Sequence, residues 1–495
     1  MAKANFRRRP LKAAALLTAV TLCVSIAGCG NRNPEAEVAA AAGAGTSSQP
    51  AVNLPTGAGS GATEVPGAVG AGPVVAPTQS KASPAASAAP AGQVPGAQIP
   101  TKTGTADTGG TGSGPNQAAA GTKAGPATLS PVNVGLVGTF SGPVGALVVG
   151  TTTGARVWAK YANERGGANG HVINVIVADD GGDPARYNSL VKELVEQRNV
   201  IAFVQNTLGF APAGNNAYLN SKEVVTFSSE GGLNQFYENP YTVTAFPAGD
   251  VYAKAIIGAV AQQAVIAKKV KVASFACSDF SICDLFDATW KDPAYLKSIG
   301  LTATFAARPS LTQPDYTASC LSAKQAGADL LVFGMDSASI ERFASDCARQ
   351  NYYPMLGTGD IVVNAGLPKA DVVDGLVVGT KIAPWTATNV EGVRTYIEAL
   401  QKYAPGTEPD GSTELGWAAG AFFGAAAKNL PADNPTAADV FKGVYQIKGE
   451  TLGGMTYPLD FTKSTTAPRK LCFGIVVIRE NKFTQGPGPA LNCPK

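Results

Sequence analysis

The chain has 495 residues, 15% of them charged, a formal net charge of +3 and a single histidine, His171. One histidine excludes Ser-His-Asp triads placed elsewhere, H-E-x-x-H metal sites and multi-histidine zinc centres. The first 28 residues carry five cations and no anion, so removing them takes the net charge from +3 to −2. No basic surplus then remains to attract nucleic acid or an anionic membrane surface.

Those residues have their own logic. Lys3, Arg7, Arg8, Arg9 and Lys12 precede and enter an apolar stretch from Leu11 to Gly28, which closes on Ser25-Ile26-Ala27-Gly28-Cys29. A basic start, a short apolar core and small residues before a cut site read as a signal peptide. Small residues immediately before a cysteine resemble the bacterial lipobox, which makes Cys29 the expected lipidated N-terminus. The expected location is the outer face of the cell membrane, held by acyl chains that each contribute about 0.8 kcal/mol per buried CH₂. Arg7-Arg8 loosely resembles a twin-arginine signal, but Pro10 stands where an apolar residue is expected, favouring the general secretory route.

Residues 29–130 change character. Ala, Gly, Pro, Ser and Thr dominate, and no aromatic residue occurs. Such a segment buries too little apolar surface to offset the entropy of ordering it, so it is expected to be a disordered tether. A flexible chain of that length spans on the order of 55 Å root-mean-square.

The remaining residues, 131–495, exceed a typical single core and predict two lobes. Short β-branched runs at Val132–Val137, Val172–Ala178, Ile201–Val204 and Val224–Phe227 alternate with helical stretches near Val144–Asn163, Pro184–Arg198 and Ala211–Ser221. Asp183 before Pro184 is a helix start. A second series has strands at Val270–Phe275, Leu301–Phe305, Leu330–Phe333, Met355–Gly357 and Leu376–Val378, with helices near Asp284–Ser298, Tyr316–Ala326 and Ser337–Gln350. Helices near Val390–Tyr403 and Ser412–Lys428 follow, then a hairpin of Leu471–Arg479 and Lys482–Thr484. Two βαβ series in succession predict an α/β protein of two doubly wound parallel-sheet lobes. The expected boundaries are 131–246 plus 384–458 for lobe 1, and 247–383 plus 459–495 for lobe 2.

Beyond Cys23 and Cys29, six cysteines remain: Cys277, Cys283, Cys320, Cys347, Cys472 and Cys493. An even number in an exported chain favours disulfides. Fifteen connectivities are open, and pairing of sequence neighbours (277 with 283, 320 with 347, 472 with 493) is the expectation adopted. There is no phosphate-loop G-x-x-x-x-G-K-[ST] and no G-x-S-x-G nucleophile elbow. No enzyme activity, cofactor or metal is therefore expected, and any ATPase must be another polypeptide.

Three segments in order carry a family resemblance: Val134-Gly135-Leu136-Val137-Gly138-Thr139-Phe140-Ser141-Gly142-Pro143, Tyr161 to Gly170 with its asparagine and paired glycines, and Ala178-Asp179-Asp180-Gly181-Gly182-Asp183-Pro184. In this spacing the chain resembles type I periplasmic binding proteins, in the branch of the leucine/isoleucine/valine receptors. Tyr241–Asp250 and Gly454–Phe461 then stand as hinge crossings. The resemblance implies a monomeric receptor that captures a small organic solute, an amino acid or amino-acid-like amide compound, and delivers it to an ABC permease with separate ATPase subunits. A ligand sensor of the same fold is the alternative.

The resemblance also indicates where a ligand would be met. Ser141 follows the first strand at a helix entrance, where it either reaches a ligand or only caps the helix. The loops Gln205–Gly209 and Ser228–Gly232 correspond to the family's hydroxyl and backbone grip, with Gly209 and Gly232 standing about where hydroxyls are expected and Thr207 or Ser229 one or two positions away. Glu230 either meets a cationic or amide group or faces solvent. Phe280, between Cys277 and Cys283, either stacks on an apolar ligand part or belongs to the core. Asp336 and Asp360 either meet the ligand, Asp360 lying close to the family's ammonium-binding acid, or cap the helices they precede. Trp385 either covers the cleft or packs.

Overall fold

A computed structural model describes residues 125–204, 214–228, 237, 239–462 and 469–494. The leader, Cys29, the tether up to residue 124, and the loop residues Thr207, Gly209, Ser229, Glu230 and Gly232 lie outside the described residues.

Two open sheets organise the chain. The first contains β1 (Leu129–Gly138), β2 (His171–Asp179), β3 (Val200–Val204), β4 (Val225–Ser228) and β5 (Thr242–Thr244), all parallel in the order β2-β1-β3-β4-β5. Helices α1 (Gly142–Asn163), α2 (Pro184–Glu196) and α3 (Gly214–Ser221) connect them. Alternation along β1 divides its side chains between two cores. Val132, Val134 and Leu136 join the layer that contains α1, and Val137 joins the layer of Tyr187 and Val191 on α2. Helices thus cover both faces, as an all-parallel sheet requires.

After β5 the chain crosses through Ala245–Ala248 into α4 (Gly249–Ile266) and a second sheet. Its strands are β6 (Lys271–Ala276), β7 (Thr302–Ala307), β8 (Leu330–Gly334), β9 (Met355–Gly359) and β10 (Val377–Thr380). Between them lie α5 (Ser281–Lys291), α6 (Pro293–Ser298), α7 (Thr317–Gln325) and α8 (Ser337–Arg349). The order β7-β6-β8-β9-β10 repeats the topology of the first sheet.

The last third of the chain is shared. Helices α9 (Glu391–Tyr403), α10 (Gly411–Ala426) and α11 (Ala437–Val444) return to the first layer, with α10 packing along α1, β3 and β4. A small pair, β11 (Lys448–Glu450) with β12 (Leu459–Asp460), precedes β13 (Gly474–Arg479) and β14 (Lys482–Gln485). That hairpin extends the second sheet antiparallel beside β10.

Close helix approach depends on glycine at two seams. A Cβ on Gly416 of α10 would stand 2.0 Å from the Thr151 carbonyl oxygen of α1, and one on Gly154 would stand 2.0 Å from that of Thr413. On the other sheet, Gly357, Gly359 and Gly379 leave room for Val260, Ile256 and Ala259 of α4.

Nearly all expected elements form within a few residues of their expected bounds, and three differ. The stretch Asp284–Ser298 is two helices, because Pro293 has no N–H to continue the first and Asp292 caps the second through Ala294 and Tyr295. Tyr241–Asp250 is not crossing alone but holds β5 and the start of α4. Helices α4 and α11 had no counterpart among the expected elements. The apolar residues of α4 surround it and leave little 3.6-residue contrast.

Candidate ligand-binding site

Equal topologies put a switch point in each sheet. In an open α/β sheet the crevice lies beyond the carboxyl ends of the strands, where the strand order reverses. For the second sheet that point falls between β6 and β8, and a pocket opens there. It is lined by Cys277, Phe280, Ile282, Cys283 and Phe286 from the β6–α5 turn, by Gly334, Met335 and Asp336 beyond β8, and by Leu311, Ile361 and Val362. Val148 of α1 closes it from the layer of the first sheet. The lining is almost wholly apolar. Its volume is about 40 Å³. Since one water takes roughly 10–15 Å³, the space suits a group of about three heavy atoms.

The turn that carries Phe280 is firmly built. Cys277 and Cys283 are disulfide-bonded. The Cys277 N–H donates to the Gly334 carbonyl at 3.2 Å, and the Cys277 carbonyl accepts from Arg308 Nε at 3.2 Å and Nη2 at 2.8 Å. Arg308 also pairs with Asp284. Asp279 accepts from the Ser310 hydroxyl at 2.8 Å and the Leu311 N–H at 3.0 Å. A wall fixed in advance lowers the ordering cost of binding.

The polar candidates are placed as follows. Ser141 is exposed at the corresponding switch point of the first sheet, where its hydroxyl bonds the Asp179 carboxylate. Partial burial works to raise the Asp179 carboxyl, but that bond, the Phe140 and Gly181 N–H groups and Arg186 together hold it below the usual range. Asp336 lines the pocket, but its carboxylate caps α8: Oδ1 accepts the Ser339 N–H at 3.0 Å, and Oδ2 accepts the Ser339 hydroxyl at 2.5 Å.

Asp360 is buried and has its own cation. Lys381 Nζ lies 3.3 Å from Oδ1, while the Tyr252 hydroxyl (3.0 Å) and the Ile361 N–H (2.8 Å) donate to the same oxygen. Both side chains of the pair are essentially excluded from solvent, at 0% and 2% exposure. Lys381 also lies over the Tyr252 ring at 4.2 Å. Trp385 is buried edge-on to Phe483 at 5.2 Å, in the segment leaving β10. The structure therefore brings Phe280 and Asp336 to one pocket and places Asp360 in the packing beside the crossings, while Trp385, itself buried, borders a separate pocket with Thr386, Pro409 and Phe483.

Sequence reading missed several residues: Met335, Ile361 and Val362, which read as ordinary strand-end apolar residues, and Lys381, Tyr252 and Glu414. A lysine directly after a buried strand was the available signal for Lys381. All three expected disulfides form: Cys277–Cys283, Cys320–Cys347 and Cys472–Cys493. His171 is buried between the carbonyls of Ser130 and Pro431, 2.8 Å from each. Among the described residues no group of acids, cysteines and histidine is placed to hold a metal, and no helix is long and apolar enough to cross a membrane.

A family model described as periplasmic binding protein matches residues 131–474. The chain belongs to the periplasmic binding protein family. It is a family of periplasmic solute-binding proteins, not enzymes. Solved structures share the fold. A branched-chain amino acid ABC transporter protein from Thermus thermophilus with bound valine is 18% identical, with a TM-score of 0.62 over 72% of this chain and 96% of that one. A possible leucine/isoleucine/valine-binding protein from Rhodopirellula baltica is 17% identical, with a TM-score of 0.61 over 74% and 98%. A fatty acid ABC transporter substrate-binding protein from Thermomonospora curvata is 17% identical, with a TM-score of 0.58 over 72% and 90%. No curated protein sequence matches the chain.

Proposed function

We propose that this periplasmic binding protein is a lipid-anchored receptor that captures a small organic solute between two lobes and delivers it to an ABC permease served by separate ATPase subunits. The lobes comprise residues 131–246 with 384–458, and 247–383 with 459–495. Cys29 carries the lipid, residues 29–130 give the receptor reach, and the protein acts as a monomer. The ligand is an amino acid or amino-acid-like compound with a compact apolar part.

The observation that carries this reading is the apolar pocket at the switch point of the second sheet, closed by Val148 of the opposite layer. Its lining suits an aliphatic side chain and offers a charged group nothing but the rim carboxylate of Asp336. The solute's polar end is then left to Ser141 and to the loops with Thr207, Gly209, Ser229 and Glu230. With Asp360 neutralised by Lys381 and Asp336 committed to a helix cap, an ammonium group depends on Glu230.

Native mass spectrometry of the folded chain, purified without refolding, tests the proposal by the mass of a retained small molecule. Titration calorimetry with valine, leucine, their amides and short fatty acids then ranks the classes. Saturable binding of an aliphatic amino acid, weakened by Phe280→Ala, is the expected result. Binding unaffected by Phe280→Ala would place the ligand elsewhere.

A further inference from the structure

The first turn of α10 holds a carboxyl group for which solute capture has no use. Glu414 is 1% exposed. It sits where α10, packed on the first layer, meets the strand ends of the second sheet. The fit is tight: a Cβ on Gly411 would stand 2.3 Å from the Asp360 carbonyl oxygen.

Ionisable groups stand around Glu414 on most of the surrounding elements. Asp360 stands beyond β9, Lys381 beyond β10, and Asp410 at the cap of its own helix. From α4, the Tyr252 hydroxyl donates to Asp360. From α9, Tyr396 shares a 2.6 Å hydrogen bond with Thr413. Helix α1 meets this end of α10 through Gly150, Thr151 and Gly154, none of them ionisable. The backbone N–H of Trp385 is directed at the Glu414 carboxyl, but Oε1 has no hydrogen-bond partner among the described residues. Lys381 is already ion-paired with Asp360.

An ionised Glu414 would place a further anion beside Asp360 and Asp410 in a buried seam whose cation, Lys381, is already paired. Burial first, and the Asp360 charge second, push its carboxyl well above the ordinary value of 4.5. Asp410 is raised too, by burial against the Thr413 hydrogen bonds.

We propose that Glu414 is a proton-linked latch: it is neutral while α10 is seated against Asp360 and ionises when that seam opens, so that closing takes up one proton. The latch rests on the two-lobe reading of capture above. Its sign follows from linkage. A carboxyl raised in the closed form supports closure fully below its open-form value, and that support is lost as the pH rises through the closed-form value. Between the two values, one proton makes opening about tenfold easier per pH unit.

The test uses the full chain without added ligand. Infrared difference spectra over a pH series from mildly acid to neutral should show protonated-carboxyl absorption in the wild type that Glu414→Gln loses. Hydrogen exchange of the amides of residues 411–416, corrected for intrinsic rates, should report opening that rises about tenfold per pH unit in the wild type and stays flat in Glu414→Gln. An unchanged carboxyl band in the variant, or the same slope in both proteins, overturns the latch. Should the variant not fold, the wild type decides, because pH-independent opening alone overturns it. Failure to find a solute leaves both readouts intact, so the latch and the capture reading fail separately.

Discussion

Replacing Asp360 by Asn should destabilise the fold rather than only weaken a ligand. The substitution keeps the shape but leaves the Lys381 ammonium, 0% exposed, without its partner at 3.3 Å. Breaking a buried pair from one side costs about 3–5 kcal/mol, because the remaining charge is desolvated and unpaired. Unfolding entropy of about 2.1 cal/mol/K per residue over roughly 365 residues gives about 0.77 kcal/mol/K, so the melting temperature should fall by about 4–7 °C. Lys381→Met should cost a similar amount. The double variant Asp360→Asn/Lys381→Met should lose much less than the sum, since neither charge is then stranded. Urea unfolding followed by circular dichroism measures all three, and coupling should exceed about 1 kcal/mol. A loss below about 1 kcal/mol for Asp360→Asn, or strict additivity, would refute the role assigned to the pair. Loss of ligand affinity at full stability would instead return Asp360 to the ligand.

Other substitutions separate packing from binding. Gly416→Ala should cost about 1–3 kcal/mol in urea unfolding, since its Cβ would stand 2.0 Å from the Thr151 carbonyl oxygen. Gly258→Ala, mid-helix in α4 with its nearest neighbour at 3.6 Å, should gain roughly 0.5–1 kcal/mol by the same assay. Replacing both Cys320 and Cys347 by Ser opens a 27-residue separation and should cost about 3.5 kcal/mol on the chain-entropy model, read as a lower urea midpoint. Cys29→Ser should move the protein from the membrane to the soluble fraction; an acylated, membrane-bound variant would disprove the anchor.

Much of the fold was legible because its elements obey local rules. Val132–Val137 and Leu330–Phe333 are β-branched or aromatic runs long enough to span a buried parallel strand. Asp183-Pro184 marks a helix start by chemistry that needs no partner from elsewhere. Helix α4 escaped for the opposite reason. Most of it is buried, against β9, β10 and α5, and its narrow polar edge of Asp250, Lys254 and Gln262 leaves little 3.6-residue contrast. The site was legible only in part. Phe280 was singled out through the family resemblance and Asp336 as a strand-end carboxylate, and both line the pocket at the switch point of the second sheet.

Composition and pattern alone determined the α/β class, the two successive βαβ series and most of their strands and helices. Each of those properties is written in residues near one another along the chain. Only the tertiary structure decided what the acids do. Asp360 and Lys381 are 21 residues apart, and Glu414 is further on. Adjacent parallel strands bring the first two together, and the seating of α10 adds the third. Whether a carboxylate awaits a ligand, caps a helix or balances a buried lysine depends on the charge and water around it, and that environment is assembled by the fold.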